Sequence, residues 1–250
     1  MRANTSSGLT IVELVIAIAI SAIVLLGMMP LLTNLFQVAG SSIATAKQVN
    51  ETQRAASIIA SDMQITNSFL GKPLSSDTKT PAPGGGWTFR GSSATARTLL
   101  LRMPATTAAY QNSTRQLVYN ANTGSCFDSA RPLYNTVIYY LQSSTLYRRT
   151  LIDTSATPCP GQTIFQKTSC QSGGGCSETD VTVATGVTQF AVDYYTISND
   201  KDPNTTIYDA ATNIDAPTLH ASAKVTLTTQ RSYSGKTNDS TVSIRETKVW

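Results

Sequence analysis

The chain has 250 residues and a formal net charge of +4, and only 14% of its residues are charged. Charge this weak and scattered leaves no footprint for nucleic acid, and so many Ser, Thr, Asn and Gln beside so few charges marks an exported β-rich domain rather than a cytosolic enzyme. A spine of about 60 residues and a head of about 180, one ordinary domain, account for the length.

Residues 1–8, MRANTSSG, are short and polar. From Leu9 to Phe36 there are 28 residues and one formal charge, Glu13. As a helix this stretch is about 42 Å long, enough to cross a bilayer. Arg2 and the starting amine are the only cations before Lys47, so the positive-inside rule keeps that end in the cytoplasm and sends the rest outward. A cleaved secretory signal has an apolar core of about 7–15 residues followed by a small-residue site; this core is longer and no such site follows it. Glu13 costs about 2.5–3.5 kcal/mol near the hydrocarbon, and acids kept at such a cost are usually functional and paired. The plainer alternative is an acid that snorkels to the headgroups. Pro30 removes a backbone hydrogen bond and predicts a kink, with the helix resuming beyond it.

After Phe36 the pattern turns amphipathic, and residues 37–70 read as the helix continuing into the head. Ile43, Ala46, Val49, Ala56, Ile59 and Met63 form the stripe expected to pack on a sheet. Lys47, Gln48, Asn50, Glu51, Gln53 and Arg54 form the face expected in water. Gly71, Lys72 and Pro73 end the helix, and residues 71–86 form a Pro/Gly/Ser-rich connector. Residues 87–250 read as a β-rich head. Its strands are expected at Trp87–Arg90, Thr98–Arg102, Gln116–Tyr119, Thr136–Gln142, Thr145–Leu151, Val181–Ala184, Thr188–Thr196, Ser222–Thr229 and Thr241–Val249, with a hairpin turn at Ser143-Ser144. Their alternation suits an antiparallel sheet with one covered face.

Gly8, Leu9, the apolar run and Glu13 fall in one register, and together they resemble the class III signal of type IV pilins and type II secretion pseudopilins. The resemblance implies cleavage by prepilin peptidase between Gly8 and Leu9, N-methylation of Leu9, and assembly through Glu13, which pairs with the terminal amine of a neighbouring subunit. The residue after the cut is usually Phe in that family and is Leu9 here. Losing Arg2 with the leader would leave +3 on side chains. Pro30 lies at a depth where many pilins carry a proline. VIYYLQSSTLYRRTL and GVTQFAVDYY are similar to segments of the larger minor pilins and J-type pseudopilins.

Cys126, Cys159, Cys170 and Cys176 all lie in the head and are even in number, so disulfides are the default. The Gly-rich loop between Cys170 and Cys176 bends easily, which favours pairing those two and then Cys126 with Cys159. Zinc has little to use: there is no C-x-x-C, and His220 is the only histidine. Asn199, Asp200 and Asp202 cluster oxygen ligands that would suit calcium, without an EF-hand's glycine or terminal glutamate. No nucleophile–base pair stands out, since a triad would have to use His220 near Pro217, and no phosphate-binding loop opens a helix.

The sequence therefore predicts an α+β fold, a long N-terminal helix packed on an antiparallel head, and a non-enzymatic minor pilin without a cofactor. Its partners would be other pilin subunits, prepilin peptidase, the pilus assembly platform and the membrane. Before assembly it would be a single-pass protein of the cytoplasmic membrane with its head outside, and afterwards part of a surface pilus. The alternatives are a secretion pseudopilin and a membrane-anchored binding protein or adhesin that never polymerises.

Overall fold

The computed structural model describes residues 10–79, 87–88, 93, 96–126, 131–195, 222–233 and 235–247. Among the described residues, one long α-helix and mainly antiparallel sheets make up the fold, an α+β layout. Helix α1 spans Ile11–Ile65, about 80 Å of axis. It starts on a capping box: Thr10 accepts from the Glu13 N–H, and the Glu13 carboxylate accepts from the Thr10 N–H at 2.9 Å. Two orphan donors of the first turn are satisfied this way. The helix runs through Pro30, which gives Leu26 no i+4 donor, while Thr33 Oγ1 donates to the carbonyls of Met29 and Pro30.

The helix ends at Ile65, short of the expected residue 70. Thr66 caps it, its N–H reaching the Asp62 carbonyl and its hydroxyl donating to the carbonyls of Ser68 and Arg102. Asn67 N–H bonds to the Arg102 carbonyl, and Ser68–Leu70 becomes β1, paired antiparallel with β2, Leu99–Pro104. Phe69 and Leu70 are thereby buried in the sheet rather than on the helix.

The larger sheet has the order β1-β2-β5-β6-β9, with β5 at Tyr134–Gln142, β6 at Thr145–Leu151 and β9 at Val181–Thr185. Ser143 and Ser144 sit at φ 48° and 59° between β5 and β6. Two left-handed residues in a two-residue loop are the turn whose twist matches the flanking strands. β5 is buried without interruption from Asn135 to Tyr140, so both faces of this central strand are covered. A smaller sheet, β10-β11-β12, is formed by Val187–Tyr195, Ser222–Tyr233 and Lys236–Thr247. A ribbon of β3 (Tyr119–Asn120) with β4 (Arg131–Pro132) and a parallel pair of β7 (Ser169–Cys170) with β8 (Glu178–Thr179) complete it.

Two expected strands differ. Trp87 and Thr88 are outside any strand, with Phe89 and Arg90 outside the described residues. Of Gln116–Tyr119 only Tyr119 enters a strand, β3, while Leu117 makes an isolated bridge with Thr106 and the Val118 backbone is shared between two neighbours, its N–H bonding to the Ala105 carbonyl and its carbonyl accepting from Leu133 N–H.

The chain passes between the two sheets at Gly186. Thr185 still pairs with β6, and Val187 already pairs with β11. Gly186 has φ +66°, and a Cβ there would stand 2.7 Å from the Gln230 carbonyl oxygen, which is backbone and cannot swing away. Gly186→Ala is therefore expected to destabilise the head by about 1–3 kcal/mol. Gly235, at φ +78° with open space around it, is the control: its alanine variant carries the conformational cost without the clash. Thermal midpoints of the two variants should separate, and equal midpoints would count against the crossing's packing.

Candidate functional site

Two features stand out: a bare apolar helix half, and the set of polar ties that holds the other half to the head. No residue in the most apolar 18-residue window of α1 is buried. Ile11 is 82% exposed, Ile23 69% and Phe36 74%. An apolar surface this large has to be covered by lipid or by other apolar helices. Glu13 is the one acid in its first turn, held by Thr10 of its own chain. Gly8 and Leu9 lie outside the described residues, as do His220 and the Asn199, Asp200 and Asp202 trio. No group of three metal-ligating side chains exists among the described residues.

The predicted stripe holds in its second half, where Ala56, Ile59 and Met63 are buried, and fails in its first, where Ile43, Ala46 and Val49 are exposed. Ile43 is 70% exposed and Val49 is 37% exposed. The buried face is Gln48, Thr52, Ala55, Ala56, Ile59, Asp62 and Met63. Its first part is polar. Gln48 Nε2 donates to the Thr229 carbonyl at 2.7 Å and the Asn238 carbonyl at 3.1 Å, and Thr52 Oγ1 lies 2.7 Å from Thr229 Oγ1. These groups belong to β11 and β12, whose partners for buried polar atoms must come from somewhere. Glu51 pairs with Arg231 on the same seam. The hairpin's end reaches down to Gly40, where any Cβ would overlap the Tyr233 ring. Glycine here permits close approach rather than an unusual backbone angle.

Arg148 and Arg149 are adjacent in β6 and so point to opposite faces of the larger sheet. Arg148 faces the helix. Its Nε meets Asp62 Oδ2 at 2.6 Å, and Tyr139 Oη donates to the same oxygen at 2.6 Å. Burial, reinforced by the Asp62 charge, pushes the Tyr139 hydroxyl well above its usual pKa, so it remains a donor. Arg149 faces away and is wholly buried. Its Nη2 meets Asp180 Oδ2 at 2.6 Å and its Nη1 meets Asp77 Oδ2 at 2.9 Å, both carboxylates being 2% exposed or less. Burial works against its charge, and the bonds and fields of Asp180 and Asp77 outweigh it, so its pKa is raised. Trp87 Nε1 donates to Asp77 at 2.6 Å, and Tyr140 Oη and Ser169 Oγ donate to Asp180. The guanidinium also lies over Trp87 at 5.1 Å and Tyr140 at 5.3 Å, a cation–π arrangement. This cluster fixes the first part of the connector, through Asp77, to the far face of the sheet.

Cys126 is bonded to Cys159 and Cys170 to Cys176. The first bridge ties the β3–β4 ribbon to the segment after β6, and the second closes a loop of the β7–β8 pair beside Asp180. None of Asp62, Asp77, Arg148, Arg149 and Asp180 stands out as a site residue in the sequence alone. A signal for the arginines was present: two in succession inside an apolar strand put one charge on each face, and each then needs an acid.

No family model matches the chain, and no curated protein matches it.

Proposed function

We propose that the chain is a minor pilin, a structural subunit of a type IV pilus that is cut after Gly8 and assembled through its N-terminal helix. The observation that carries this reading is the half of α1 that the head leaves wholly uncovered, with Glu13 in its first turn. A plain anchor needs about 20 apolar residues and no acid. A helix that must later exchange lipid for neighbouring helices uses the acid as a register mark, since an unpaired buried carboxylate is costly. In the membrane the head lies outside and the leader inside. In the pilus, neighbouring subunits cover the exposed apolar residues, and Glu13 takes the terminal amine of one of them. The size of the head favours a minor over a main subunit.

The N-terminal residue and mass of the mature protein test this. Leu9 at the terminus, with or without an added methyl group, is the expected result. An intact Met1, or a cut beyond residue 36, would overturn it.

A further inference from the structure

We propose that the cleft beside Asp62 and Arg148 is a carbohydrate-binding site that takes a single pyranose through two neighbouring hydroxyls. The cleft has a volume of about 250 Å³ and opens between α1, β6 and the loops near residues 110 and 166. That is below the span of about 300–1,000 Å³ typical of drug-sized sites, so it suits one sugar ring rather than an extended chain.

The floor is the Asp62–Arg148 pair, and it is only half used. Asp62 Oδ2 takes both Tyr139 and Arg148 Nε, and Arg148 Nη1 donates to Thr150 Oγ1 at 3.2 Å. Asp62 Oδ1 and Arg148 Nη2 have no partner among the described residues, and neither is among the atoms sealed from solvent. The Arg148 side chain is 18% exposed and that of Asp62 8%. The open groups are thus an acceptor and a donor next to each other. A hydroxyl can donate to the first and accept from the second, and a vicinal pair satisfies both. The ion pair has already fixed both side chains, so little rotamer freedom is lost on binding.

The wall is aromatic. Tyr110 is buried, with its hydroxyl donated to the Pro104 carbonyl at 2.9 Å. Phe165 keeps 54% of its surface exposed at the mouth, its backbone pinned by its N–H to the Thr106 carbonyl. An apolar ring held out at the rim suits the C–H face of a pyranose. Charge argues against an ion: two cations, Arg148 and Lys167, and two acids, Asp62 and Glu178, line the cleft, so neither an anion nor a cation is favoured. Gln111 and Gln166, which also line the cleft, bring neutral amides.

The test uses the full chain in a zwitterionic detergent without a sugar headgroup, with saturation-transfer NMR against the methyl glycosides of glucose, mannose, galactose and N-acetylglucosamine. At least one should saturate with a Kd on the order of 1 mM. Phe165→Ala removes only an exposed ring and should weaken it about tenfold, and Gln111→Trp, which fills the cleft, should abolish it. Thermal midpoints like the parent's would show both variants folded. Absence of saturable binding by all four glycosides would overturn the proposal, as would binding unchanged in both variants or tighter binding of acetate or methylammonium. None of these readouts involves processing or filament assembly.

Discussion

Replacing Arg149 with methionine is expected to lower the stability of the head by about 3–5 kcal/mol, the usual cost of removing one partner from a buried ion pair. Two carboxylates, Asp77 and Asp180, are left behind in a site from which water is excluded. Their remaining donors, the Lys79 N–H, Trp87 Nε1, Tyr140 Oη and Ser169 Oγ, are neutral, and cannot replace a full positive charge. For a head of this size the thermal midpoint should fall by about 10 °C, with the fluorescence of Trp87 as a reporter because its ring lies against the guanidinium. Arg149→Lys should recover only part of the loss, since an ammonium is a point charge and the native fork serves two acids at once. A midpoint within about 2 °C of the parent for Arg149→Met would show that the cluster contributes little. The triple replacement of Arg149, Asp77 and Asp180 by apolar residues of similar volume should lose less than the single change, because no charge is then stranded.

Glu13→Ala is expected to leave the protein processed and held in the membrane while its share in sheared filaments falls about tenfold or more. The substitution removes about 2.5–3.5 kcal/mol of insertion cost, so the membrane-bound state is favoured and nothing is gained on leaving it. Glu13 also has a local role in the capping box with Thr10, worth about 1 kcal/mol in ordinary helices. Glu13→Gln separates the two. It keeps an acceptor for the Thr10 N–H and loses the charge, so it should fail in assembly as the alanine variant does. Normal incorporation of Glu13→Ala would sink the assembly role. If Gln assembles and Ala does not, the cap rather than the charge is what matters.

The elements set by local pattern were readable from the sequence. The bare half of α1 follows from a run of apolar residues, and the turn at Ser143-Ser144 from two alternating strands flanking two small residues. The cysteine pairing follows from a Gly-rich loop short enough to close. What was misread depended on partners far along the chain. Gln48 belongs to the buried face because its amide meets Thr229 and Asn238, 181 and 190 residues away; its polarity alone points to water. Helical spacing alone places Ile43 on the packed stripe, and the hairpin leaves it exposed. The helix end shifted because Asn67 to Leu70 had a better use for their backbone groups beside β2 than in another helical turn. The cleft on the helix side of Arg148 combines α1, β6 and two loops, and no single stretch of sequence contains it.

The ties along α1 also determine how the molecule bears load. Gln48 and Thr52 grip the smaller sheet, and Asp62 grips the larger one about 15–21 Å further along the axis. A pull directed along the helix strains these grips side by side, in shear, and has to break several of them together. A pull across the helix would peel them one after another. The fold therefore resists tension along the helix axis, and each sheet takes up that tension at its own grip instead of passing all of it through the chain at Gly186.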